Sequence, residues 1–374
     1  MTSDPPPFRD PSLARYSRQM LVPSFGEAGQ KRLKHSSVTL IGCGALGGVI
    51  ANSLVRAGIG KLRIVDRDFI ELDNLQRQIL FDEHDLAQNL PKAEAAGRKL
   101  RKINSAVEIE AVVDDANHLN ILSLCRDCDL ILDGADNFET RFLVNDAAVK
   151  LGLPWVYGAC IAGEGLVMAI IPHDTPCLRC VWEDAPPPGT TPTCDTAGVL
   201  GPVVEIVASF QVLEAMKILI GAYDAKTDSR GAATPAQKDA RPPYSGFGKG
   251  CMLTIDGWSG RVRSLDMQSA RGQGECVCCK QGRFEYLSGE KTSASVSLCG
   301  RNAVQILPPP GATIDFRRVA ERLKSGAAPE MNAFMLRFRV EPYQVTLFAD
   351  GRAIVQGTAD AATARGVYAK YVGA

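Results

Sequence analysis

Apolar positions along this chain follow two alternating rhythms. Short, mainly apolar runs, Ser37 to Ile41, Leu62 to Val65 and Leu130-Ile131-Leu132, read as buried strands, while from Leu46 to Ala57 apolar residues return at helical spacing. The alternation continues from about residue 13 to 280. It predicts an α/β domain, with further helices ending near Lys150 and spanning about Pro202 to Ile220, and strands near Met252–Ile255 and Val262–Leu265. Beyond Gln281 the rhythm changes. Phe334, Leu336, Phe338 and Val340 alternate with Met335, Arg337 and Arg339 as in a half-buried strand, and Asp350-Gly351 marks a tight turn between strand-like runs. Helices over Asp315–Lys324 and Thr358–Tyr371 complete a small α+β domain at 281–374. Residues 1–12, polar and proline-rich, read as a loose tail, and 221–250, rich in Gly, Ala, Pro and charge, as a mobile insertion.

The first chemical signal lies between the first strand and the helix after it. Gly42-Cys43-Gly44-Ala45-Leu46-Gly47 is a G-x-G-x-x-G turn in a strand-turn-helix context. Gly42 permits the tight turn, Gly44 lets a phosphate approach the backbone, and Gly47 lets the helix pack close to the sheet. Asp66 ends the next strand 22 positions after Gly44, where an acid hydrogen-bonds a ribose. This much suits a Rossmann-like nucleotide site of any kind.

Residues beyond Asp66 separate the nucleotide classes. Attack on the α-phosphate of ATP needs positive charge around a pyrophosphate leaving group, and Arg77, Lys92 and an N-terminal arginine offer it. Asp136 comes after the Leu130–Leu132 strand and has two readings, a ligand for Mg²⁺ or a cap for the next helix. An NAD-dependent oxidoreductase would share the glycine turn and Asp66 but would leave Arg18, Asn74, Arg77 and the cysteine pairs unexplained. A non-catalytic scaffold that binds a carrier through a degenerate site is the third reading.

Arg15-Tyr16-Ser17-Arg18-Gln19, the glycine turn, Asp66-Arg67-Asp68, Asn74-Leu75-Gln76-Arg77-Gln78, Pro91-Lys92, Asp136-Asn137 with Arg141, and two Cys-x-x-Cys pairs occur in one order. That order, from about Arg15 to Lys280, resembles the MoeB/ThiF/HesA family of adenylyltransferases, relatives of the adenylation domain of ubiquitin-activating enzymes. The resemblance implies adenylation of the C-terminal Gly-Gly carboxylate of a ubiquitin-like sulfur carrier of MoaD or ThiS type. It implies that Gly42, Gly44 and Gly47 frame ATP, Asp66 holds the ribose, Asn74, Arg77 and Lys92 hold the phosphates, and Asp136 holds Mg²⁺. Arg18 would reach the γ-phosphate of a second subunit, so a homodimer is expected. A sulfur donor, a cysteine desulfurase or a rhodanese, would act later.

Of the twelve cysteines, Cys177-x-x-Cys180 and Cys276-x-x-Cys279 have the spacing of a closed structural Zn²⁺ site, with Cys278 as a competing ligand. Cys125 and Cys128 form a third such pair, better read as structural. Cys194, preceding a helix, is the candidate nucleophile: the resemblance allows a thioester or acyl-persulfide there, and Asp195 beside it would oppose ionisation. Cys299 lacks the surroundings of a rhodanese loop. A formal charge of zero gives no reason to expect a nucleic-acid or membrane partner, and the polar N-terminus with no long apolar run fits a cytoplasmic enzyme.

Overall fold

The structure, a computed structural model, describes residues 10–186, 194–223, 249–271, 274–291, 296–298, 302–306, 314–323 and 329–373. Chain contacts divide it into two units, one of Met1–Ala185 with Val199–Glu290 and the other of Pro186–Gly198 with Lys291–Ala374.

The first unit is built on an eight-stranded sheet. Its strands are β1 (Ser37–Ile41), β2 (Lys61–Val65), β3 (Glu108–Val112), β4 (Leu130–Asp133), β5 (Trp155–Ile161), β6 (Glu164–Ile170), β7 (Cys251–Asp256) and β8 (Arg261–Asp266), in the order β3-β2-β1-β4-β5-β6-β7-β8. The first five are parallel and β6 to β8 run antiparallel to their neighbours. In chain order the helices are α1 (Ser17–Met20), α2 (Gly26–His35), α3 (Ala45–Ala57), α4 (Glu83–Ala87), α5 (Lys92–Ile103), α6 (Ile121–Cys125), α7 (Phe138–Leu151), α8 (Leu178–Val181), α9 (Cys194–Ala197) and α10 (Gly201–Leu219), of which α9 belongs to the second unit.

Helices cover both faces of the parallel part of the sheet, which is why its central strands β1 and β4 are buried and mainly apolar. On β5 the period of two divides the faces: Trp155 and Tyr157 join Phe142 and Ala147 of α7, whereas Gly158 faces Gln211 of α10. The helix expected from about Pro202 to Ile220 is α10, with Pro202 in its first turn, where a missing amide proton costs no intrahelical bond.

The unit extends past residue 280 because residues 281–290 are anchored in it. Tyr286 packs on Phe142, and the amides of Tyr286 and Leu287 donate to buried Asp146 at 3.0 and 3.4 Å. At the other end the Asp10 carboxylate accepts from Ser12 N and caps the helical turn Pro11–Tyr16.

The second unit holds a six-stranded antiparallel sheet of β9 (Val296–Leu298), β10 (Ala303–Ile306), β11 (Glu330–Met331), β12 (Met335–Val340), β13 (Tyr343–Phe348) and β14 (Ala353–Gln356), ordered β11-β12-β13-β14-β10-β9. Leu336, Phe338, Val345, Leu347 and Val355 pack against α11 (Phe316–Leu323) and α12 (Ala361–Tyr371). Gly351 takes φ +85° at the expected turn. Met335 is buried as well, so β12 is covered on both faces where it begins. Most of 221–250, and Cys299, lie outside the described residues.

Candidate nucleotide site

The glycine turn sits at the carboxyl ends of the parallel strands, between β1 and α3. Gly42, at φ +89°, donates to Val65 O on β2. A β-carbon on Gly42 would stand 2.9 Å from Ala135 N, and one on Gly47 would stand 2.9 Å from the Gly42 carbonyl carbon and closer to its oxygen. Those two glycines are therefore fixed by backbone packing. Gly44 differs: a β-carbon there would meet only Gln78 Nε2, at 3.7 Å, so the backbone at the start of α3 faces open space where an anion can approach.

Asp66 braces this turn. Its Oδ2 accepts from Cys43 N at 2.6 Å and its Oδ1 from Asp68 N at 2.7 Å. Burial pushes its pKa up to about 6, with Lys92 opposing the shift and Asp68 adding to it. The acid expected to bind ribose thus has a structural role as well.

Lys92 is only 3 % exposed, opens α5, and pairs with Asp68 Oδ2 at 3.2 Å. A buried ammonium at the positive end of a helix is disfavoured by the helix field, and a second anion would relieve it. Arg67 is held at 2.8 Å from Asp115 Oδ1. Burial disfavours its charge, but Asp115, Asp68 and Asp136 outweigh that and raise its pKa.

The other cation and amide of the motif are engaged locally. Arg77 Nη1 donates to Asp73 O at 2.7 Å. Asn74 is fully buried; its Oδ1 accepts from Glu71 N and its Nδ2 donates to Asp73 Oδ1, so its evident work is to shape the loop. That loop borders α10, since Gly201 lies against Gln76 O and Arg77 Cα.

Asp136 is exposed, on the loop that Gly134 presses against Gly42. The cap of α7 is its neighbour Asn137, whose Oδ1 accepts from Thr140 N at 2.8 Å. Among the described residues Asp136 thus has one side-chain hydrogen bond, from Asn137 Nδ2, and an exposed carboxylate that suits a hard cation shared with phosphate oxygens. Beneath it is a hub whose centre, Arg141, the motif pattern includes but to which it gives no role. Asp133 accepts from Arg141 Nε at 3.1 Å, and Arg141 Nη2 donates to Ala135 O and Gly158 O. Gln211 of α10 donates to Asp133 O at 2.8 Å. Arg141 therefore fixes the loop from below. A lone Gln in a mainly apolar helical stretch is the one sign in the sequence for Gln211.

The N-terminal arginine motif divides likewise. Arg15 donates to Ile103 O, Tyr16 OH accepts from Asn104 Nδ2, and Gln19 donates to Ala57 O, which fastens the segment to the ends of α3 and α5. Arg18 is exposed, and among the described residues its guanidinium has no partner.

Cys177, Cys180, Cys276 and Cys279 converge, with all four Sγ atoms within 4.8 Å of one another. Three pairs lie at 3.8, 3.6 and 3.4 Å. Four sulfurs at about 2.3 Å from a tetrahedral zinc would be about 3.8 Å apart, so the cluster fits that ion. Cys278 is fully buried and lies outside the four; its thiol adjoins Cys177 and Asp146 and takes a hydrogen bond from Asn145 Nδ2. Cys125 and Cys128 are buried, as a structural pair should be. Of Cys194 the structure describes only the backbone, at the start of α9.

A profile of the ThiF family matches residues 16–280. The chain belongs to the ThiF family. This ThiF-family protein is 41 % identical over 360 residues, 96 % of its length and 99 % of the other's, to the sulfur carrier protein ThiS adenylyltransferase of Bacillus subtilis (strain 168). A match that long takes in most of the C-terminal unit. It is 36 % identical over 270 residues to the adenylyltransferase and sulfurtransferase MOCS3 of Xenopus laevis, covering 72 % of this chain and 54 % of that one. Among solved structures, E. coli MccB with MccA-N7isoASN superposes with a TM-score of 0.57 at 20 % identity, over 74 % of this chain and 77 % of that one, a likeness of fold.

Proposed function

We propose that this ThiF-family protein adenylates the C-terminal carboxylate of a ubiquitin-like sulfur carrier ending in Gly-Gly. One carboxylate oxygen attacks the α-phosphorus of ATP, the bond from that phosphorus to the bridging β-phosphate oxygen breaks, and pyrophosphate leaves. The product is an acyl-adenylate. The observation that carries the reading is the anion-receptive backbone at Gly44, adjoined by the Asp66-Asp68-Lys92 network and the Asp136 loop, in a chain this similar to a ThiS adenylyltransferase. No general base is needed, because the attacking carboxylate is already ionised at neutral pH. Orientation and charge do the work.

The remaining assignments rest on the same geometry. The start of α3 and Lys92 receive phosphate oxygens, Asp66 keeps the turn in shape and takes a ribose hydroxyl, and Arg77 completes the phosphate set. Bound Mg²⁺, held by Asp136, would neutralise charge on the leaving pyrophosphate. Zinc in the four-cysteine cluster would clip segments 96 positions apart and leave no open ligand position for catalysis. Arg18, exposed and unpartnered among the described residues, suits a role in a neighbouring subunit of a homodimer. The acyl-adenylate then becomes a substrate for sulfur transfer from a cysteine desulfurase or rhodanese donor, with Cys194 as the candidate thiol. Among the described residues no helix is long and apolar enough to cross a membrane.

The test is ATP–pyrophosphate exchange with purified ThiS-type and MoaD-type carriers. Exchange dependent on an intact Gly-Gly terminus is expected; none with any carrier would overturn the reading. Retained exchange in Cys194→Ala would confine that thiol to a later step. Mixed dimers of Arg18→Ala and Asp136→Ala chains should recover part of the activity that each lacks alone.

A further inference from the structure

Gln78 closes the Asn74-Leu75-Gln76-Arg77-Gln78 run, yet none of the roles above uses it. It is 3 % exposed, and its Oε1 is sealed from solvent with no hydrogen-bond partner. Among the described residues its Nε2 has none either. An amide in such a place costs stability unless a partner arrives, which is why buried side-chain amides are nearly always hydrogen-bonded. The donor end of the group is the one with an open neighbour. Nε2 is the atom that a β-carbon on Gly44 would meet, at 3.7 Å, and nothing else lies within 4 Å of that point. The amide therefore borders the same open space as the start of α3, a thirteen-residue helix whose first amides attract anions.

We propose that Gln78 is a nucleotide-contact residue whose Nε2 donates a hydrogen bond to the phosphate of ATP lying against Gly44. The inference rests on the ATP site proposed above and adds to it a neutral donor. Lys92 brings charge from the side of Asp68, while Gln78 reads the position of an oxygen without adding charge. Because Nε2 has no partner among the described residues, it offers a donor to a ligand and no hydrogen bond to the fold.

That asymmetry makes the test specific. Gln78→Met keeps the volume and removes the donor; Gln78→Glu keeps the shape and sets a negative charge beside phosphate. Calorimetric titration of wild type and both variants with ATP, and with adenosine as a phosphate-free control, is combined with thermal melts without ligand. Gln78→Met should melt at or above the wild-type temperature and bind ATP about tenfold more weakly or worse. Gln78→Glu should lose more, and adenosine affinity should be unchanged in both. Wild-type ATP affinity in Gln78→Met would overturn the assignment while leaving the ATP site standing. Equal losses for adenosine and ATP, or a large drop in the ligand-free melting temperature of Gln78→Met, would show a structural residue and overturn it too. Absence of ATP binding by the wild type would overturn the site itself.

Discussion

Gly44 and Gly47 belong to one short motif but should fail in opposite ways when each is changed to alanine. At Gly47 the new methyl would stand 2.9 Å from the Gly42 carbonyl carbon and nearer its oxygen. Both are backbone atoms of a turn already pressed against Gly134, so α3 or the turn must move. Forced overpacking costs about 1–3 kcal/mol, and rigid backbone neighbours put this case at about 3. Replacing glycine inside a helix returns about 1 kcal/mol. The net loss is about 2 kcal/mol, or a drop of about 4–8 °C in melting temperature for a unit of this size. At Gly44 the methyl makes one ordinary contact, with Gln78 Nε2 at 3.7 Å. Stability should fall by less than at Gly47, about 1 kcal/mol or below, while the methyl fills the space through which a phosphate reaches the helix. Calorimetric melts and ATP titrations on both variants decide it. A Gly44→Ala protein that melts as low as Gly47→Ala, or that binds ATP within twofold of wild type, would refute the division into packing and binding glycines.

Three further outcomes are expected of the site. Arg141→Met leaves Asp133 charged, fully buried and without its ion pair, and should cost about 3–5 kcal/mol in denaturant unfolding; a loss below 1 kcal/mol would show that the hub does not hold the loop. Asp66, with its folded pKa raised to about 6 from 3.8, binds its proton more tightly folded than unfolded, so its contribution favours folding increasingly as pH falls from about 6 towards 4. ATP affinity should move the other way, weakening below about pH 6 as the acceptor is protonated, and Asp66→Asn should flatten that part of the titration. Metal analysis of purified protein should find one zinc per chain, which Cys177→Ser or Cys276→Ser removes and Cys278→Ser does not.

The contrast between residue type and residue role marks how much is legible in the chain. Both sheet-based folds, the glycine turn and the paired cysteines can be read directly, because strand runs, helical spacing and tight turns are local and leave a local record. Allotment of hydrogen bonds is not local. The motif places Asp66 and Asn74 as ligand contacts, yet Asp66 also gives its oxygens to Cys43 N and Asp68 N, and the amide of Asn74 is engaged with Glu71 and Asp73. Arg141 enters the sequence only as part of a pattern, and its work is set by Asp133, Ala135 and Gly158, which meet it only when β4, β5 and α7 pack. Cys278 is set apart from its ligand neighbours by the convergence of the other four sulfurs and by its own contact with Asn145 of α7, 133 positions earlier, which donates to its sulfur. Gln78 is the converse case: it sits in plain view inside the motif, and what distinguishes it is the lack of any partner among the described residues. A motif residue whose polar atoms are all matched within the fold is constrained by the fold alone. One that is buried and unmatched beside an open helix end is constrained by what binds there, and in this chain that criterion selects Gln78 more sharply than it selects Asn74.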